Sequence, residues 1–278
     1  MHRLQSMQAG TQGVDGFDPD FVATLPVQRL ASGGALYVAG PAPVQLLFVH
    51  GGFHGAWCFG AWMDALSRSS IGCAAIDFAG HGFLAGEALP LSTSIADYAT
   101  SVDEAVSLLG DGVCVVGHSL GALAVASAAA RIDASAIVLL APSPPSNLPG
   151  AMQVPSRAIH MPVPVPSLDE AIERFLGGVR PVWAERFHRL LCSESPTALN
   201  DRYELRVPVD PAALPSKTLV IAAGRDDVLR HPEGQDAAIA ELYGAGYLML
   251  DDAPHCMMLG DGSIAVLESI LAWLTPAA

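Results

Sequence analysis

Charge is scarce in this chain, and positive charge scarcest. Only 15% of the 278 residues are charged, and 14 Lys and Arg stand against 28 Asp and Glu, a formal net charge of −14 at pH 7. A phosphate backbone or an anionic bilayer repels such a surface, so neither nucleic acid nor membrane is expected as a partner. No uninterrupted apolar run reaches the ~18 residues a membrane span needs, and Met1 to Gly16 holds no apolar stretch of signal-peptide length. A cytoplasmic protein is the expectation. Cysteine is sparse as well: Cys58, Cys73, Cys114, Cys192 and Cys256 are odd in number and lack CxxC spacing. That pattern argues against a disulfide framework and against a zinc site, and fits reduced thiols.

What the chain does have is apolar residues, 51% of the total. Disorder is therefore excluded over most of the length, and a deeply buried sheet is expected. Residues 1–22 read as a mobile leader, because Gly10, Gly13, Gly16 and Pro19 interrupt any period. Val27 to Leu30 and Ala35 to Val38, split by Ser32-Gly33-Gly34, read as a hairpin. Short apolar runs follow at 44–49, 73–76, 113–116, 136–140, 218–222 and 247–250, alternating with helical patterns at 56–68, 95–109, 120–131, 235–244 and 264–274. Runs apolar on both faces suit buried parallel strands, and the alternation predicts a doubly wound, mostly parallel α/β sheet. Ser94 and Asp97 form a candidate capping box.

The alternation breaks between 143 and 215, where prolines cluster and helical patterns appear at 168–176 and 182–193. We therefore expect a core of residues 23–142 and 216–278, with a mostly helical cap, 143–215, inserted above the sheet edge.

Val113 to Ala122 carries the strongest chemical signal. A buried strand runs into Gly117-His118-Ser119-Leu120-Gly121, and an Ala-rich helix follows. The two glycines suit a sharp strand-to-helix turn that leaves a nucleophile exposed at a helix N-terminus. Serine is a weak nucleophile unless a base takes its proton and a carboxylate orients that base. Two further strands end in Gly224-Arg225-Asp226-Asp227 and in Asp251-Asp252-Ala253-Pro254-His255. Ser119 is thus the expected nucleophile, His255 the base and Asp227 the acid. Asp226 is the rival, set aside because the Gly-x-x-Asp spacing places Asp227 past the strand end. The backbone N–H groups of Gly52 and Leu120 are the candidate oxyanion donors. Phe53, His54, Trp183 and Met257 are the candidate substrate contacts. His50 and His81 are expected to shape loops near the site.

His50-Gly51-Gly52-Phe53-His54-Gly55-Ala56-Trp57, Asp77-Phe78-Ala79-Gly80-His81-Gly82, Gly117-His118-Ser119-Leu120-Gly121 and His255-Cys256-Met257-Met258-Leu259 together resemble the α/β-hydrolase superfamily, most closely its plant-type methylesterase and hydroxynitrile lyase branch. The resemblance spans about Val44 to Leu274 and implies the same triad and oxyanion donors. Lyases of that branch carry a lysine directly after the catalytic histidine, where this chain has Cys256, which disfavours cyanohydrin cleavage. The resulting expectation is hydrolysis of a small to medium hydrophobic ester, lactone or thioester under an apolar cap roof, with no metal and no organic cofactor. Met161, Val163, Val165, Leu168, Phe175, Leu176, Trp183 and Phe187 are the roof candidates. Non-hydrolytic chemistry on the same scaffold and a ligand-binding receptor with a retained triad are the rivals; a homodimer is left open.

Overall fold

In the computed structural model, which describes residues 16–275, the short apolar runs become strands of one sheet. Eight strands lie in the order β1-β2-β4-β3-β5-β6-β7-β8. They are β1 Val27–Arg29, β2 Ala35–Ala39, β3 Val44–Val49, β4 Gly72–Asp77, β5 Val113–His118, β6 Ala134–Leu140, β7 Thr218–Arg225 and β8 Gly246–Pro254. β1 and β2 pair antiparallel as the expected hairpin, and β2 pairs antiparallel with β4. From β4 to β8 every neighbour is parallel. Parallel pairing needs crossovers, and crossover helices cover both faces, which is why β4 and β5 are buried at every position.

The described helices are α1 Pro19–Ala23, α2 Gly60–Arg68, α3 Ile95–Leu109, α4 Leu120–Ala128, α5 Leu168–Leu176, α6 Ala184–Leu190, α7 Pro196–Tyr203, α8 Gln235–Tyr243 and α9 Ser263–Leu274. α4 is apolar all round, as a helix enclosed between α3 and the sheet must be. The helix expected from Ala56 opens instead as a 3₁₀ turn, Ala56–Phe59, before α2.

The leader reading needs correction. Residues 1–15 lie outside the described residues, but Pro19–Ala23 is helical, with the Asp18 carboxylate accepting from the Phe21 N–H at 3.3 Å. Val22 is fully buried, and α1 packs on α2. Asp at the N-cap and Pro at the first helical position are a start signal that the surrounding glycines obscured.

Between β6 and β7 the chain forms α5, α6 and α7. α5 has the expected bounds; α6 is shorter than the 182–193 pattern because Leu191 turns extended. α7 was not foreseen, although Ser195 caps it and Pro196 opens it. The Ser94 box does form: Ser94 Oγ accepts from the Asp97 N–H, and Asp97 accepts from the Ser94 N–H at 2.8 Å. We expect Ser94→Ala to lower stability by about 1 kcal/mol, with an unchanged urea m-value, because one cap of one helix is lost. Urea unfolding followed by circular dichroism checks this.

Candidate active site

Ser119 sits between β5 and α4 with φ 53° and ψ −117°, a backbone region that L-residues seldom occupy. Such a residue costs on the order of 1–3 kcal/mol and persists only where its neighbours fix it. Here the Ser119 N–H donates to the Leu140 carbonyl at 2.9 Å, and the Ser119 carbonyl accepts from Ser143 and Ala122, each at 3.1 Å. The flanking glycines permit the turn. A Cβ on Gly121 would lie 2.1 Å from the His50 carbonyl oxygen, and one on Gly117 would lie 2.8 Å from Ala122 Cα. Both positions therefore exclude any side chain.

His255 follows β8, and its Nδ1 lies 2.8 Å from Asp226 Oδ2. This corrects the choice of acid. Asp227 faces away: its carboxylate accepts from the Leu229 N–H at 3.0 Å and pairs with Arg230. The cause is a register shift between Ala223 and Arg225, where Gly224 presses on β8 so closely that a Cβ would lie 2.2 Å from the Asp251 carbonyl oxygen. A bulge changes which residue faces the neighbouring strand end, so the spacing that favoured Asp227 selects Asp226. Burial pushes the Asp226 carboxyl up, but the neighbouring His231 and His255 rings and the Asp227 amide outweigh it, and the carboxyl is held below its usual range.

His255 is flanked by two further imidazoles, His118 and His231, each with ring centroid 4.7 Å away. His118 Nε2 donates to the His255 carbonyl at 3.0 Å, which fixes the backbone of His255. Burial lowers the His118 ring far below the usual histidine range and takes His231 to about 3, so both are neutral. Asp226, His231 and His255 bring their ligand atoms within 4.8 Å of one another. The 2.8 Å contact is that of a charge-assisted hydrogen bond, which holds the His255 ring on the Asp226 carboxylate.

The loop after β3 is aimed by three side chains. His50 Nδ1 donates to the Gly51 carbonyl at 2.8 Å, and the His54 N–H reaches the same oxygen at 3.3 Å. A trans peptide points its N–H opposite its carbonyl, so holding the Gly51 oxygen aims the Gly52 N–H the other way. His54 Nδ1 donates to the Gly52 carbonyl at 2.7 Å, and Glu194 Oε2 accepts from the Phe53 N–H at 3.2 Å. Phe53 itself holds φ 69°. Among the described residues, neither the Gly52 nor the Leu120 N–H has a backbone partner.

Glu194 was missed from sequence. It is fully buried and accepts from Tyr98 Oη at 2.6 Å, the Ser195 N–H at 2.7 Å and His81 Nε2 at 3.1 Å, besides Phe53. Burial raises a carboxyl, yet the His81 charge and these donors outweigh it and hold Glu194 below 4.5. For His81, burial pulls down and Glu194 pushes up more strongly, leaving it above 6.5. In the sequence Glu194 is a single acidic residue between Ser193 and Ser195, with no motif to mark this role.

A narrow cleft of about 50 Å³ contains Ser119, Leu120, Gly52, His255 and Asp226 in its walls. Of the expected substrate contacts, Phe53 lines it and three do not. His54 is buried behind the loop, its Nε2 3.3 Å from Cys256 Sγ; burial takes that ring to about 3 and raises the thiol, so they form a neutral pair. Met257 is buried in the core. Trp183 stacks on Phe17 at 4.5 Å and lines a separate groove, because it precedes α6 on the side facing the N-terminal segment. Of the expected roof residues only Phe175 reaches the cleft. In place of an apolar roof, the insertion and the turn after β7 supply Arg174, Arg202 and Arg230.

The sequence profile of the alpha/beta hydrolase family matches residues 46–267. The chain belongs to that family. A probable esterase of rice, Oryza sativa subsp. indica, is 35% identical over 105 residues, 36% of this chain. The match spans only 40% of the rice protein's length. Among solved structures, a methylesterase from Arabidopsis aligns with a TM-score of 0.65 at 21% identity, covering 83% of this chain and all (100%) of that one. A probable hydrolytic enzyme from Pseudomonas aeruginosa gives 0.69 at 17% identity, covering 91% and 95%. At these identities the structures establish the shared fold.

The buried His81–Glu194 pair yields a stability prediction. A raised histidine stabilises fully below about pH 6.5 and loses that contribution as pH rises through its folded value; a depressed carboxyl stabilises above about pH 4.5 and loses it as pH falls. Wild-type Tm should therefore decline as pH rises from about 6.5. Glu194→Gln should unfold with about 3 kcal/mol less stability near pH 6.5, roughly 6 °C in Tm, and lack that alkaline decline. Scanning calorimetry across pH checks both.

Proposed function

We propose that the chain is a serine hydrolase cleaving a carboxylic ester, lactone or thioester through an acyl-enzyme. The observation that carries the reading is a base held by its acid in the same cleft as a serine on a strained elbow. In this reading Asp226 accepts from His255 Nδ1–H, which leaves the Nε2 lone pair free to take the Ser119 proton. Ser119 Oγ attacks the acyl carbon, and the carbonyl electron pair moves onto oxygen, facing the Gly52 and Leu120 N–H groups. Each such donor is worth about 2.7–4 kcal/mol in the barrier. Collapse expels the alcohol or thiol, which takes the proton from His255. Water, deprotonated by the same ring, then attacks the acyl-enzyme and releases the acid and Ser119.

No step needs a metal or an organic cofactor. Residues 143–215 act as the cap, with α5 and α7 supplying Arg174, Phe175, Leu199, Arg202 and Tyr203 to the cleft wall. Phe53, Phe175 and Leu199 form the apolar part that receives a small to medium acyl chain.

The test uses p-nitrophenyl acyl esters. Ser119→Ala should lower kcat/KM by about 10³-fold or more, and Asp226→Asn by about 10⁴-fold, with unchanged circular dichroism. Asp227→Asn should cost far less than Asp226→Asn. Full turnover by Ser119→Ala removes the nucleophile from the mechanism, and the reverse order of the aspartates removes Asp226.

A further inference from the structure

Three of the chain's 14 basic residues line the cleft beside Ser119, in a protein whose net charge is −14. Arg202 is 3% exposed, and its guanidinium has one partner, the Arg230 carbonyl at 2.5 Å, leaving Nη1 buried without a hydrogen bond among the described residues. Arg174 lies over the Phe53 and Phe175 rings at 5.5 and 5.0 Å, with its Nε likewise unpartnered. Arg230 pairs with Asp227, yet its Nε also has no acceptor.

A guanidinium cannot shed its proton to escape burial, and a buried charge without a counter-charge is costly. The acidic groups lining the cleft do not suffice: Asp226 is engaged by His255 and Asp227 by Arg230. Glu170 reaches Arg174 at 3.2 Å and Arg230 at 4.0 Å, but it lies outside the cleft wall and is half exposed. Among the described residues, no carboxylate pairs with Arg202. Its burial lowers it to about 10, and Arg174 is lowered by burial and then by Arg230, as expected for cations short of anions.

We infer that the arginines form a subsite for an anionic group on the substrate, so that the acyl part carries a carboxylate beyond its apolar segment, as in a half-ester of a dicarboxylic acid. The inference rests on the serine-hydrolase reading and replaces a purely hydrophobic substrate with an amphiphilic one. The apolar segment lies along Phe53, Phe175 and Leu199, and its far end meets the guanidinium N–H groups. Forked N–H donors match a planar carboxylate, which a lysine ammonium would hold as a point charge.

The test compares the full-length protein on p-nitrophenyl pentanoate, on mono-p-nitrophenyl glutarate, which adds a terminal carboxylate, and on the methyl-capped glutarate. The acidic ester should be preferred over both neutral ones by tenfold or more in kcat/KM. Arg202→Gln should lower that preference ratio at least tenfold, and Arg202→Lys should keep part of it. Equal or greater kcat/KM for the neutral esters, or a ratio unmoved by Arg202→Gln, overturns the anion subsite. If no ester is cleaved and a fluorophosphonate fails to label Ser119, the hydrolase reading has failed instead. Glutarate binding measured by calorimetry then decides the subsite alone. Binding that Arg202→Gln weakens tenfold supports it, and no glutarate binding to the wild type overturns it.

Discussion

The site depends on one buried carboxylate. Glu194 accepts from four segments that are far apart in the chain: the loop after β3, the turn after β4, helix α3 and the start of α7. Each donor is itself buried, so any of them left without its acceptor would carry a desolvation penalty of about 1–3 kcal/mol. The carboxylate therefore sets the insertion in register with the core. Its contact with the Phe53 N–H also supports a left-handed residue that would otherwise relax, and with it the peptide orientation that aims the Gly52 N–H. An amide would leave at least one of these donors facing another N–H. A negative charge suits the position because every neighbour within hydrogen-bonding distance is a donor.

Charge is scarce overall, yet several buried charged groups gather around the Ser119 cleft. Asp226, Glu194 and the three arginines are largely withdrawn from solvent, where each pairing is stronger than at the surface. The neutral histidines insulate these charges. His54, His118 and His231 are all discharged by burial; His54 and His118 contribute hydrogen bonds to backbone carbonyls, and His231 packs its ring against His255. His255 is the one imidazole in the group that has a carboxylate within hydrogen-bond distance.

Much of this was legible in the sequence, and the gaps have physical causes. Strands apolar on both faces, the capped start of α3 and the Gly117 to Gly121 elbow are local patterns, and each formed where its residues lie. The choice between Asp226 and Asp227 turned on a bulge at Gly224, which depends on how closely β8 approaches, a tertiary fact. The composition of the cleft wall was hidden for a similar reason. Hydrophobic residues in 143–215 outnumber charged ones, and the natural reading is that they face the ligand; instead most join the insertion to the core, while Arg174 and Arg202 turn inward. Arg202 lies on α7, a helix whose Ser195-Pro196 start is readable, but its inward face is set by the partners α7 packs against.

An arginine-lined cleft within a strongly acidic protein bears on how the proposed anionic substrate would be selected. The net charge of −14 repels an anion at a distance, but that repulsion is screened within about 8–10 Å at ordinary ionic strength. The guanidinium groups act only inside the cleft, where screening by salt is weak and their hydrogen bonds are directional. With the proposed anion subsite, charge recognition would be deferred until an anion has entered, and there it would depend on placing a planar acceptor against Arg202 while an acyl carbon lies at Ser119. An anion that cannot satisfy both ends gains little from the arginines, since entering requires it to give up hydration. On that proposal the acidic surface and the basic interior would work in the same direction, discriminating by geometry at the acyl carbon rather than by attraction from afar.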